Sequence, residues 1–223
     1  MTDSNKTLIA ALLDRSGSMT RSGQATEDGW RELINAQRQN PGQCQVTLAH
    51  FDTEYQLLYP PTDIGLVPEF VIAPRGATAL LDSVGRFITE VGQWLSALPE
   101  DQRPGQVVCL IMTDGMENAS HQWTWDAVKA LITQQREVYN WAFIFLGADM
   151  DAVEVGARMG MDRDLAMTYD KDSYQRNRAA YGMVSSKIER ARRSRSFASE
   201  AFSDEERAAA KGAPEPRTKR KTT

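Results

Sequence analysis

Five oxygen-bearing side chains stand beside apolar or amphipathic segments in a pattern that could assemble a metal site. Three of them lie just after the apolar run 7–13, one lies just after the apolar run 106–112, and one precedes the amphipathic run that begins at residue 80. Oxygen donors without a histidine or a thiolate suit a hard divalent cation, with Mg²⁺ as the natural candidate and Mn²⁺ as its substitute. The candidate metal ligands are Asp14, Ser16, Ser18, Thr78 and Asp114.

The segments around these residues predict an α/β fold. Apolar runs alternate with amphipathic runs of helical period, which is typical of a doubly wound, Rossmann-like and mostly parallel sheet with helices on both faces. The connection over residues 52–54 is short enough to make the second and third strands antiparallel at one edge. We expect strands over residues 7–13, 45–51, 55–59, 106–112, 141–146 and 165–168, and helices over residues 24–39, 80–95, 125–138, 152–159 and 172–193.

The strand order expected for such a sheet brings the five side chains together. In the common order 3-2-1-4-5-6 the order reverses between strands 1 and 4, and ligands bind beyond the carboxyl ends of the strands at that point. Strand 1 ends at Asp14, strand 4 ends next to Asp114, and Thr78 lies in the helix entry between them in sequence. Two aspartates balance the charge of a divalent ion, and a coordination position left to water could accept one more anionic oxygen.

This pattern resembles the von Willebrand factor A (vWA) domain and its metal-ion-dependent adhesion site (MIDAS). That site uses Asp-x-Ser-x-Ser after the first strand, a threonine in a middle loop and an aspartate after the fourth strand, and all five positions have a match here. The flanking Met19, the sequence over residues 76–80 and the pair at residues 51–52 are also common in the family, so that the resemblance covers about residues 6–170. It implies that Ser16, Ser18 and Thr78 are hydroxyl ligands and that the two aspartates lie near the ion, often through water.

The resemblance also implies what the chain does. vWA domains of this kind are non-enzymatic protein-interaction modules, in which an Asp or Glu of a protein partner completes the Mg²⁺ shell. The loops over residues 15–24, 75–78 and 116–123 would then set specificity. The pattern is most similar to the intracellular vWA proteins of bacteria and phages.

Two other interpretations of the same residues stay open. The haloacid dehalogenase fold also places an aspartate after its first strand, so the chain could be a Mg²⁺-dependent phosphoryl-transfer enzyme or hydrolase. That chemistry usually needs a second aspartate two residues on as acid and base, where this chain has Ser16, and a lysine to clamp the phosphate, which the sequence does not obviously supply. Asp14 and Ser16 could also merely cap a helix.

Charge separates the body of the chain from its carboxyl-terminal segment. The 223 residues carry a net charge of −4, but residues 187–223 hold eleven Lys/Arg and six Asp/Glu and are net positive. We expect a vWA-like domain over residues 1–186, a basic helical extension with arginines at 190, 192, 193 and 195, and a disordered tail from about Ala208. The acidic body disfavours nucleic-acid binding, so the third alternative is an assembly or nucleic-acid-associated protein that acts through this basic tail.

Composition bounds the location of the protein. No apolar run approaches the roughly 20 residues that a membrane helix needs, and the polar start of the chain is followed by an apolar stretch too brief for a signal peptide. Cys44 and Cys109 are too few for a disulfide framework, and we expect both to be free thiols. These features predict a cytoplasmic protein that does not engage membranes.

Overall fold

A six-stranded sheet in the order β3-β2-β1-β4-β5-β6 forms the centre of the computed structural model, which describes residues 1–212. All neighbouring strands are parallel except β2 and β3, which are antiparallel. The predicted α/β class, the strand order and the antiparallel edge strand are therefore confirmed. The strands are β1 (Asp3–Asp14), β2 (Gln43–Phe51), β3 (Tyr55–Asp63), β4 (Pro104–Thr113), β5 (Ala142–Ala148) and β6 (Ala166–Tyr169).

Helices cover both faces of the sheet because the inner strands are apolar on both sides. In β1 the side chains of Ile9, Ala11 and Leu13 pack in the layer that contains α1 and α5, while those of the residues between them pack under α2 and α3. The sheet thus has a hydrophobic core on each side. The helices are α1 (Gly23–Arg38), α2 (Leu80–Ala97), α3 (Trp125–Tyr139), α4 (Ala152–Arg158), α5 (Tyr174–Ser194) and α6 (Asp204–Lys211).

The segment after α5 folds back onto the edge of the sheet. The Phe202 amide donates to the Asp164 carbonyl, and the Asp170 amide donates to the carbonyl of Ala210, whose side chain is fully buried. The expected boundary after residue 186 falls inside α5, and the prediction of disorder from Ala208 is wrong for residues 208–211, which are helical. Burial of Ala210 against the sheet edge explains this order. Residues 213–223, for which disorder was also expected, lie outside the described residues.

A buried lysine holds the segment after α5 in place. The Lys187 side chain is only 1% exposed, and its Nζ donates to the Ala201 carbonyl and lies 2.8 Å from Glu206 Oε2. Glu206 also completes a capping box with Ser203 at the start of α6. The ion pair and the cap together hold α6 against α5.

The basic run at the end of α5 is engaged within the chain. Arg190 Nε lies 2.8 Å from Glu200 Oε2, Arg193 pairs with Glu189, and the Arg192 guanidinium donates to the Gln37 carbonyl. Arg192 therefore links α5 to α1, Arg190 links α5 to the segment that follows it, and Arg193 pairs within α5.

Two further expectations concern the cysteines and membranes. Cys44 and Cys109 are free and buried. Within residues 1–212, no helix combines the length and the apolar character that crossing a bilayer would require.

We predict that Glu206→Gln lowers the free energy of unfolding by about 2 kcal/mol, because it leaves the buried Lys187 ammonium without its counter-charge. Glutamine is compatible with the capping box, so the helix cap is retained. Glu205→Gln removes the same charge from an exposed position of the same helical turn and is the control. Urea unfolding of both variants measures the difference, and equal effects would show that the ion pair does not hold α6.

Candidate metal centre

Asp14 lies at the end of β1 and joins it to the end of β4. Its side chain is fully buried; Oδ1 accepts a hydrogen bond from the Ser16 amide at 2.6 Å, and Oδ2 accepts one from the Thr113 hydroxyl at 2.6 Å. The parallel register sets Leu13 opposite Met112, so the residues that follow these two positions meet at the same edge of the sheet. Asp14 is thus held in one orientation by both strands.

Ser16, Ser18 and Asp114 form a chain of contacts beside it. The Oγ atoms of Ser16 and Ser18 are 2.9 Å apart, and the Ser18 hydroxyl donates to Asp114 Oδ1. Ser22, at the start of α1, donates to Asp114 Oδ2 at 3.3 Å. The turn after β1 therefore aims two hydroxyls at the carboxylate that follows β4.

Thr78 completes the group from the loop before α2. A methyl group added to Gly115 would lie 2.8 Å from Thr78 Oγ1 and 3.5 Å from Ser18 Oγ, so both hydroxyls adjoin the same backbone position. The Thr78 amide donates to Asn118 Oδ1 at 2.9 Å, and the Asn118 amide donates to the Thr78 carbonyl. The structure thus brings together all five side chains that the sequence singled out.

Asp52, at the end of β2, supports the two loops that carry the hydroxyls. Its Oδ2 lies 2.8 Å from Nε of both Arg15 and Arg75, and its carbonyl accepts from the Ala79 amide. Burial raises the pKa of Asp52, but the Glu54 amide and the two arginines outweigh it and lower that pKa. Asp52 is therefore ionised and holds the two loops in place. It is not one of the candidate metal ligands.

The two aspartates of the candidate site are poorly stabilised as anions. Burial raises the pKa of Asp14 to about 6, although the hydrogen bonds from Thr113 and Ser16 oppose the shift. Burial also raises the pKa of Asp114, against the hydrogen bond from Ser18 and the charge of Lys171. A bound cation would favour the ionised form of both carboxylates.

Lys171 also lies at the site, and the sequence motifs did not single it out. Its Nζ lies 2.5 Å from Asp149 Oδ2 and 3.9 Å from Asp114 Oδ2, and it donates to the Asp114 carbonyl at 3.4 Å. Burial lowers the pKa of Lys171, but the hydrogen bond to Asp149 and the charge of Asp114 outweigh it and raise that pKa. The signal was its position just after the last predicted strand, at the same edge of the sheet as Asp114.

The spacing of two of the hydroxyls is compatible with an octahedral Mg²⁺ shell. Ligands about 2.1 Å from an octahedral ion and at right angles to one another are about 3 Å apart, and the Ser16 and Ser18 hydroxyl oxygens are separated by 2.9 Å. Residues 1–212 contain no group of three or more His, Cys, Asp or Glu side chains placed to hold a metal. A metal here would depend on hydroxyls as well as on the two carboxylates.

Comparison with known proteins identifies the fold. No protein-family model and no curated protein matches the sequence. Solved structures that match include proximal thread matrix protein 1 from the mussel byssus (TM-score 0.59, 14% identity, 82% of this chain and 46% of that chain) and von Willebrand factor type A from Catenulispora acidiphila (0.58, 14%, 82% and 42%). Another is the vWF domain of the type V pili tip protein Mfa5 from Porphyromonas gingivalis (0.55, 10%, 82% and 94%). The chain spans less than half the length of the first two proteins, and its fold is the vWA fold.

We predict that Asp14→Asn stabilises the metal-free protein at neutral pH. Because the folded-state pKa of Asp14 lies near 6, above its ordinary value of 3.8, the folded protein binds more protons than the unfolded chain between these values. Stability from this group is therefore present at low pH and falls by about 2–3 kcal/mol as pH rises through that window. The asparagine side chain stays neutral, so the variant does not lose stability over this pH range.

The measurement is urea unfolding in a chelator at pH 4.5 and at pH 7.5, for the wild type and the variant. Asp172→Asn, a change at an exposed residue near the site, is the control. The difference between wild type and Asp14→Asn should grow with pH. A difference in unfolding free energy that does not change with pH would show that ionisation of Asp14 does not destabilise the folded protein.

We predict that Gly115→Ala weakens Mg²⁺ binding by about tenfold or more, since the new methyl group displaces the Thr78 hydroxyl. Gly92→Ala, in α2, is the matched control because a methyl group there has no neighbour within 4 Å. Calorimetric Mg²⁺ titration of both variants gives the comparison. An unchanged affinity in Gly115→Ala would remove Thr78 from the metal shell.

Proposed function

We propose that this chain is a non-enzymatic, Mg²⁺-dependent protein-interaction module with a MIDAS-type site. The observation that carries the proposal is the convergence of two carboxylates and three hydroxyls at the carboxyl edge of β1 and β4 in a vWA fold. A matrix protein and a pili tip protein are among the structures with the same fold, which supports a role in protein contacts.

In the proposed site Ser16, Ser18 and Thr78 hold the ion through their hydroxyls, and the two aspartates accept hydrogen bonds from its water or from those hydroxyls. Mg²⁺, or Mn²⁺ in its place, supplies the positive charge that a partner's carboxylate meets. Neutral hydroxyls add no negative charge, so the ion keeps enough positive charge to bind an anionic oxygen. The partner provides that oxygen from an Asp or Glu side chain.

The rim of the site offers contacts around such a carboxylate. Arg21, Arg75 and Met116 are exposed on the three loops that surround it. A groove of about 600 Å³ lies beside it, between α4 and α6, and includes Asp149 and Lys211 in its lining. These surfaces differ in charge and polarity, and in the proposal they select the residues next to the partner's carboxylate.

Two alternatives receive less support. A phosphoryl-transfer enzyme would use Asp14 as nucleophile, but this side chain is fully buried and both of its oxygens accept hydrogen bonds. Lys171 could contact a phosphate, yet position 16 lacks the acid–base carboxylate. In the described part of the basic tail, the pairing of Arg190 and Arg193 within the chain reduces the positive charge available to a partner. We keep the intracellular setting as part of the proposal because both cysteines are free.

We expect the full chain to bind one Mg²⁺ saturably and Asp114→Ala to lose that binding while it retains the fold. Isothermal calorimetry measures binding, with acetate added in a second series as a simple carboxylate, and circular dichroism checks the fold. Asp172→Ala removes an exposed negative charge near the site and is the control. Wild-type protein that binds no Mg²⁺ with or without acetate, or binding that survives in Asp114→Ala, would overturn the proposal.

A further inference from the structure

An internal ion pair lies directly beside the candidate ligands and is not accounted for by the proposed function. The Lys171 ammonium contacts Asp149 Oδ2 at 2.5 Å and lies 3.9 Å from Asp114 Oδ2. The ammonium group therefore lies between Asp114, which is a candidate metal ligand, and Asp149, which is not. Its side chain is 14% exposed, against 66% for Asp149, so the ammonium lies on the inner side of the pair.

Both partners are held by the fold. Asp149 directly follows β5 with φ of 54°, a left-handed conformation that few residues other than glycine adopt. Lys171 follows β6, and the preceding Asp170 amide donates to the Ala210 carbonyl of α6. The ends of two neighbouring strands, one of them braced by the carboxyl-terminal helix, thus set the pair next to Asp114.

The position of the pair gives its two members opposite electrostatic effects on a cation at the site. The Lys171 charge opposes a divalent ion near Asp114, because it already neutralises part of that carboxylate. The Asp149 charge draws the ammonium away from Asp114 and itself attracts the ion. Without Asp149, the nearest carboxylate left to Lys171 is Asp114 itself.

We propose that Lys171 is a tethered cation that competes with the divalent ion for Asp114, and that Asp149 sets how strongly it competes. Lys171 is then a positioning residue for the charge of Asp114 and not a ligand. The inference depends on the proposed Mg²⁺ site, and it adds a control of metal affinity built into the chain.

The test is the direction in which two single variants shift Mg²⁺ affinity. Lys171→Met keeps the aliphatic stem and removes the competing charge, so Mg²⁺ should bind about tenfold more tightly. Asp149→Asn frees the ammonium to move onto Asp114, so Mg²⁺ should bind about tenfold more weakly. Asparagine tolerates the left-handed conformation at this position, which keeps the loop intact. The double variant should bind more tightly than Asp149→Asn, because the lysine no longer competes.

An exposed ion pair elsewhere on the surface provides the matched control. Arg163 and Glu154 lie 3.2 Å apart and are 61% and 68% exposed. Arg163→Met and Glu154→Gln make the same charge changes without touching Asp114, and at physiological salt their effects are screened. We expect each to change Mg²⁺ affinity by about twofold or less.

Calorimetric titration of all variants, with thermal melts in a chelator to verify folding, distinguishes the outcomes. Opposite shifts for Lys171→Met and Asp149→Asn support the inference. Shifts of the same sign, or shifts no larger than those of the control pair, overturn it and leave the Mg²⁺ site itself in place. If Lys171→Met does not fold, Asp149→Asn alone decides, since unchanged or tighter binding contradicts the competition. A wild-type chain that binds no Mg²⁺ overturns the proposed function and this inference with it.

Discussion

Parallel pairing of β1 with β4 holds Leu13 opposite Met112, and the rest of the candidate site depends on that register. A shift of one residue would turn Asp14 to the other face of the sheet and separate it from the Thr113 hydroxyl. The register is fixed because both strands are buried on both faces, so any slip would disturb two hydrophobic cores at once. The order of the sheet reverses between these strands, which leaves a crevice above them for the loops that bring Ser18 and Thr78.

The same crevice also affects the ionisation of the two aspartates. Burial that excludes water from Asp14 and Asp114 disfavours their ionised forms, and the surrounding hydroxyls offset only part of that cost. A residue chosen for packing alone would be neutral here. Carboxylates kept in such an environment are typical of a site that gains its stabilisation from a ligand, as functional sites often do at the expense of the fold.

Much of the fold and the five candidate ligands could be predicted from local sequence signals. Strands β1 and β4 are continuous apolar runs that end in oxygen-bearing residues. The alternation of strands and helices indicated a doubly wound sheet, and the common strand order of such sheets places these two strands side by side. The pair of Lys171 with Asp149 could not be predicted in this way, because it depends on the left-handed backbone at Asp149 and on the lateral order of β4, β5 and β6. Helix α6 was missed although its signals were present: Ser203 and Glu206 have the spacing of a capping box, and three alanines follow. The segment lacks the apolar periodicity that identified the other helices.

The charges around the site also bear on the proposal that its ligand is a carboxylate. Asp14 and Asp114 together balance a divalent ion, and Lys171 with Asp149 adds no net charge. With the proposed ion bound, the site would be close to neutral, so that long-range attraction to acidic molecules would be weak. In the proposed mechanism, selection would come from the free coordination position, which would accept one anionic oxygen at short range and favour partners whose carboxylate can reach it. A near-neutral site of this kind would distinguish partners by their shape and by how far their carboxylate extends. Specificity would then depend mainly on the exposed loops around the site.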